Sequence, residues 1–418
     1  MELNELNQQL QVKLHQYFNK FENGISRPEY KFIRQVIFGI LKTGSVQVAS
    51  IGRGLSELIT QKKTTDRLGH HLGKDGFYKK ISELTLKAQR YYLRHCRYLI
   101  CDISDIRKVY ARKMEGLSRV HDGSEDEIGD GYWLCNVVGV DTEGSSIVPA
   151  YSELYSLLQE NSSENSKILE ALNQVYGYAS GDAISVLDRG GDREVLINSL
   201  LTEGRYFIIR QRGDRCLTYR GKRIVEKQLS RKVELGYSFK TIKRRKNRLV
   251  EVKYRFGAVP VRFKSFGKKL YFVVAREEKK GYCWFLCHLP VNRCEEAVRV
   301  AFEGYSYRWK IEEVNRQVKG DYNLESICLQ RYEALKTMNA LFWSAMSFLY
   351  TRLESLSKEI LFQPLLSLVK KNRLRELFGF IYYKLALGTK LILAGSRLYR
   401  ELILPSKIDQ LSLDFGYT

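Results

Sequence analysis

Residues Tyr98 to Asp102 read Y-L-I-C-D, and residues Ala183 to Asp188 read A-I-S-V-L-D. Each is a short apolar run closed by an aspartate. Runs of this length, bounded by polar residues, fit strands buried on both faces. Between the two, Gly131–Asp141 (G-Y-W-L-C-N-V-V-G-V-D) and Ser146–Tyr151 read as further strands, and Ser163–Gly177 has helical periodicity. An acidic, glycine-bearing stretch, His121–Asp130, reads as a loop. After Asp188 come a helix over Asp192–Leu201 and a strand over Arg205–Arg210 (R-Y-F-I-I-R). The order is strand, strand, strand, helix, strand, helix, strand, which predicts an α/β domain.

That order is the one of a ribonuclease H-like domain with a mixed sheet, here interrupted before its last helix. The interruption, about 213–290, is basic and β-rich. The expected organisation is a helical, DNA-binding region over 1–90, a catalytic domain over 91–345 and a helical C-terminal region over 346–418. Within the first region, Pro28 opens a helical segment that stops at Gly44, followed by short helices over Val46–Ile59 and Lys63–Leu72. Lys62, Lys63 and Arg67 cluster on the last of these, as on a DNA-binding helical module. A solvated helix face would read the same way.

The helix after the interruption reads Y-S-Y-R-W-K-I-E-E-V-N-R-Q-V-K from Tyr305 to Lys319. At about 100° per residue, Tyr305, Arg308, Glu312 and Lys319 fall within roughly 60° of arc. Tyr307, Ile311, Val314 and Val318 occupy the opposite arc and predict a core-facing stripe. In an open α/β sheet, reactive groups gather at the carboxyl ends of strands. Asp102 and Asp188 converge there if their strands are neighbours, and a helix crossing the sheet brings Glu312 to the same point. Three crowded carboxylates cannot all stay ionised without a counter-charge. Their hard oxygens suit Mg²⁺, with Mn²⁺ able to substitute. Two such ions serve in-line phosphoryl transfer. Asp105, Asp182 and Asp192 are rival acids nearby; Asp192 best fits a helix N-cap, and Asp105 lies one turn or bend beyond the strand end.

The 418 residues carry a formal net charge of +22 and are 44% hydrophobic. Segment 211–270 holds 20 Lys or Arg against 4 Asp or Glu, so the imbalance is local. Such a stretch points to nucleic acid. A membrane-surface role is disfavoured, because the basic stretch lacks a long apolar helical face. No uncharged apolar run reaches spanning length, and the start, M-E-L-N-E-L-N-Q-Q-L, has no export-signal pattern. Eight scattered cysteines form no C-x-x-C pair and read as buried free thiols in a reducing cytosol.

With these residues in view, the chain resembles a DDE transposase of bacterial insertion sequences, the IS-4 type. The family signature Y-x2-R-x3-E-x6-K is met by Tyr305, Arg308, Glu312 and Lys319. Its strand-end D-R-G motif is met by Asp188-Arg189-Gly190, and its first acid by Asp102. The resemblance spans roughly residues 30–345. It implies cut-and-paste transposition: end nicking, hairpin formation and resolution, then strand transfer. Asp102, Asp188 and Glu312 would bind two Mg²⁺ ions. Tyr305, Arg308, Lys319 and Arg189 would hold DNA phosphates, and Trp284 would stack a displaced base. Lys243, Arg244, Arg245, Lys246 and Arg248 would meet further phosphates. The implied partners are double-stranded transposon-end DNA, target DNA and a second copy of the chain, paired through about 345–418. The implied location is the bacterial cytoplasm, at the nucleoid. A nuclease without strand transfer and a non-catalytic DNA-binding regulator are the alternative readings.

Overall fold

The computed structural model describes residues 3–109, 111–122, 127–160, 163–245, 248–263, 266–277, 281–357, 360 and 381–394. Five helices come first: α1 (Leu3–Phe18), α2 (Arg27–Thr43), α3 (Val48–Leu55), α4 (Gln61–Leu72) and α5 (Phe77–His95). The start of α2 is fixed by a reciprocal cap between Ser26 and Glu29. Its end is fixed by Gly44 at φ +63°, a left-handed geometry that glycine adopts at little cost.

The central region follows as β1 (Tyr98–Arg107), β2 (Ser118–Asp122), β3 (Glu127–Val140), β4 (Ile147–Tyr155), α6 (Glu164–Tyr176), β5 (Ile184–Leu187), α7 (Glu194–Thr202) and β6 (Tyr206–Gln211). The expected strands and helices are present, with two changes. The first strand runs five residues beyond Asp102, because I-S-D-I-R continues a two-residue alternation that antiparallel β3 can pair. The stretch read as an acidic loop begins and ends in paired strand, His121 opposite Ile128.

The basic interruption contributes β7 (Cys216–Tyr219), β8 (Lys222–Val225), α8 (Glu226–Ser230), β9 (Tyr237–Arg245), β10 (Arg248–Val261), β11 (Leu270–Glu277) and β12 (Tyr282–His288). Its long strands are not a separate sheet. β12 pairs antiparallel with β6, so one mixed sheet runs β2-β3-β1-β5-β6-β12-β11-β10-β9, with β4 also on β3. The strands β1, β5 and β6 are mutually parallel and the remaining pairs antiparallel. Among the described residues the hairpin β7–β8 forms a separate two-stranded sheet, joined at Thr218 to Arg262, the residue after β10, by a single bridge.

The last described helices are α9 (Cys294–Ser306), α10 (Trp309–Gly320), α11 (Tyr332–Arg352) and α12 (Ile381–Ala394). The helix expected over 305–319 is therefore two helices that meet at Tyr307 and Arg308. Ile311, Val314 and Val318 do face the core. Two apolar clusters sandwich the sheet. One gathers Tyr98, Ile100, Ile184, Val186 and Ile208 with α9, α10, α11 and the N-terminal helices. The other gathers Leu99, Cys101, Leu187, Phe207 and Ile209 with α6 and α7. Alternate residues of each strand thus serve opposite faces.

α11 is buried along nearly its whole length, as a helix apolar all round must be. α1, α2, α4 and α5 pack around it. The N-terminal helices and α11 accordingly share one core. α12 packs on α1, α2 and α11 of its own chain, with Tyr382 stacked on Tyr350 at 3.7 Å. Most of the segment expected to pair two copies lies outside the described residues. All eight cysteines are free, and Cys216 and Cys328 are exposed where buried thiols were expected. No described helix is long and apolar enough to cross a membrane.

Candidate active site

Parallel pairing of β1 with β5 sets Tyr98 opposite Ile184 and Ile100 opposite Val186. Carrying that register two residues further sets Asp102 level with Asp188. Asp102 lies mid-strand, still paired to β3 at Asn136. Asp188 follows the last residue of β5, where the Gly190 N–H donates to its Oδ1 at 2.7 Å. Glu312 comes from the first turn of α10, which crosses β1.

The electrostatics tie the three together. Burial pushes the Asp102 carboxyl up to about 7, and the charges of Asp188 and Glu312 push the same way. Arg308 opposes them. Two groups sharing a site with a third carboxylate disfavour its ionisation, and a nearby cation offsets part of that cost. Arg308 also donates directly to Glu312 Oε1. Glu312 is therefore turned toward its own helix. Among the described residues no three His, Cys, Asp or Glu side chains are close enough to hold an ion together. The donor chemistry nonetheless fits a hard divalent cation: three carboxylates, one of them short of counter-charge. Closing on an ion requires Glu312 to leave Arg308.

Asn315, one turn beyond Glu312, donates from Nδ2 to Asp102 Oδ2 at 3.1 Å. Its Oδ1 accepts from Asn136 Nδ2 at 2.8 Å. Both asparagines are buried, so a fixed amide chain from β3 orients the first acid. Lys319 donates to Asp105 Oδ1 at 2.8 Å. It is paired inside the protein, where the sequence reading had it on a phosphate. Asp105, the rival first acid, is thus bonded to Lys319, as Glu312 is to Arg308. Lys108, at the end of β1, donates to the carbonyls of Leu324, Glu325 and Ile327 at 3.1, 2.6 and 3.0 Å. Burial lowers its pKa to about 8. It pins the chain where it leaves α10.

Tyr305, in the last turn of α9, accepts at its hydroxyl from Arg210 Nη1 at 3.2 Å and meets Phe285 edge-on at 4.7 Å. Tyr305 and Arg308 line a cavity of about 670 Å³ with Arg189, Arg210, Tyr282 and Trp309. Three guanidinium groups and several rings therefore open onto one space beside the acids, a combination suited to an anionic, aromatic ligand.

Trp284 is elsewhere. Its neighbours on β12, Cys283 and Phe285, line the cavity, and alternation sends Trp284 to the opposite face. There it packs on Gly213, where an added Cβ would come within 2.5 Å of its ring. Arg67 is also committed internally, to Gln35 and Glu57. Lys62 and Lys63 are exposed on α4. Of the basic cluster, Lys243, Arg244, Arg245 and Arg248 lie on the paired ends of β9 and β10, and Lys246 lies outside the described residues. Asp192 does not cap α7, whose preceding residue is Arg193. It accepts instead from the Arg212 N–H at 2.8 Å and Arg215 Nε at 3.0 Å.

Sequence reasoning missed Arg210, Asn136, Asn315 and Lys108. The i, i+3 spacing of Glu312 and Asn315 is the only signal that could have found one of them. No protein-family model matches the chain, and no curated protein matches it.

Proposed function

We propose that this protein is a DDE-type DNA transposase on a ribonuclease H-like fold, with Asp102, Asp188 and Glu312 as its acids. The observation that carries the reading is the parallel pairing of β1 with β5, whose register sets Asp102 level with Asp188; burial and the charges of Asp188 and Glu312 push the Asp102 carboxyl up to about 7. Asp102 and Asp188 are half-buried and Glu312 is exposed and paired to Arg308; a carboxyl whose ionisation is disfavoured by its neighbours is a mark of functional sites. The three would hold two Mg²⁺ or Mn²⁺ ions, which when bound supply Lewis-acid activation of the attacking hydroxyl and charge neutralisation at the leaving oxygen.

The chain's own residues place the DNA. Arg308, released from Glu312, offers a bidentate fork to a phosphate. Arg210 holds the Tyr305 hydroxyl, and Arg189 adds a third cation at the cavity wall. Tyr282 and Trp309 give that cavity faces against which a base can stack. Asn315 keeps Asp102 from rotating.

The test is a gel assay with transposon-end DNA, Mg²⁺ and a supercoiled target. Asp102→Asn, Asp188→Asn and Glu312→Gln should each lower nicking by about a thousandfold or more while end binding persists. Nicks never joined to target would leave a nuclease. Binding without nicking in the unmodified protein would leave a regulator. Undiminished nicking by Glu312→Gln would remove Glu312 from the site.

A further inference from the structure

We propose that the hairpin β7–β8, with the α8 segment behind it, is a docking surface for the phosphate backbone of a second DNA duplex. Residues 215–233 hold seven cations, Arg215, Arg220, Lys222, Arg223, Lys227, Arg231 and Lys232, against one acid, Glu226. Six of the seven are exposed, the exception being Arg215. None of those six has an ion-pair partner among the described residues. Glu226 is fully buried, and burial together with the nearby charge of Asp192 pushes it up to about 8. It contributes little negative charge at neutral pH. So many unpaired cations on a short hairpin repel one another, and an anionic partner relieves that repulsion.

The hairpin is fixed to the site. Arg215 and the Arg212 N–H both grip Asp192, four residues beyond Asp188. A cavity of about 720 Å³ opens between Arg215, Thr218 and Arg223 of the hairpin, Glu194 at the start of α7, and Phe263. Phe263 belongs to the α6–α7 face of the sheet, whereas the Tyr305 cavity opens on the α9 face. One catalytic turn therefore has cationic surface on each side. The tip, Arg220-Gly221, takes φ +49° and +76°, the paired left-handed geometry of a tight two-residue hairpin turn. It holds Arg220 outward, stacked on Tyr219 at 5.1 Å.

The hairpin lies on the sheet face opposite the Tyr305 cavity, so it fits a duplex other than the one held in that cavity. Naming that duplex as the insertion target rests on the transposase reading; the surface itself does not.

The experiment compares the full-length protein with a triple variant, Arg220→Asn, Lys222→Ser and Arg223→Ser. Anisotropy of a short random-sequence duplex is titrated across salt, and nicking of end DNA is measured alongside. Affinity for the random duplex should fall at least tenfold. The salt slope should become shallower by roughly two to three, about 0.9 for each phosphate no longer neutralised. Nicking of end DNA should persist, and the charge-keeping pair Arg220→Lys and Arg223→Lys should bind normally. Unchanged affinity and slope in the triple variant would overturn the proposal, as would tighter binding to anionic vesicles than to duplex. Hairpin-dependent duplex binding by a protein that nicks nothing would sustain the surface while removing the transposase reading.

Discussion

The environment of Asp102 makes a pH prediction. Its pKa is near 3.8 in an unfolded chain and about 7 in the fold. The folded state thus holds a proton that the unfolded state releases, and stability is lost as pH rises from about 4 to about 7. Asp102→Asn removes that loss. The variant should match the unmodified protein in melting temperature near pH 4 and exceed it above pH 7. The gap is bounded on the order of 4 kcal/mol, and Mg²⁺ should narrow it. Thermal melts across pH, with and without Mg²⁺, check both points; a gap independent of pH would mean that Asp102 is not the strained acid. Asn315→Ala should act in the other direction. It leaves Asn136 Nδ2 and Asp102 Oδ2 without partners and should cost about 1–3 kcal/mol by chemical denaturation, with a loss of nicking. The level placement of Asp102 and Asp188 on neighbouring strands was legible in two apolar runs that each reach an Asp, although β1 continues past Asp102. The amide chain that holds Asp102 was not, since Asn136 and Asn315 meet only through packing. The same applies to Lys319, whose partner Asp105 is more than two hundred residues away.

Among the elements, the junction of α9 and α10 decides where Tyr305 and Arg308 point. α9 lies close on the sheet at Gly304, where a Cβ would come within 2.7 Å of Ile208 Cδ1 and of Tyr98 Cε1. Gly304→Val should therefore lift α9 from β1 and β6 and carry Tyr305 and Arg308 with it. A loss of roughly 1–3 kcal/mol is expected, together with weaker end-DNA binding; binding at unmodified strength would show that α9 does not set the geometry. The break between the two helices was invisible in the sequence. Apolar periodicity continues across Tyr307, and no proline marks the stop. The strand extending past Asp102 was overlooked for a related reason: its polar half looks like a turn until β3 supplies the pairing. The face that Trp284 takes was not legible, because alternation fixes only that Cys283 and Phe285 oppose it. Which face carries the cavity depends on where α9 packs.

At the scale of the whole molecule, one buried charge cluster joins layers that are distant in sequence. Lys167 of α6 contacts Glu153 of β4 at 2.7 Å and also Glu160. Glu160 in turn accepts from the Tyr332 hydroxyl at the start of α11. Lys167→Ala leaves two poorly solvated carboxylates behind and should destabilise the protein by about 3–5 kcal/mol, measured by urea unfolding. A cost below 1 kcal/mol would show that water screens the cluster. The continuity of the sheet through β6 and β12 has a consequence for a chain still being made. Seventy residues separate Gln211 from Tyr282, so during translation the outer edge of β6 stays bare until β12 leaves the ribosome. Nascent chains arrested inside that interval carry an unsatisfied apolar strand edge. They are the species expected to engage chaperones or to aggregate.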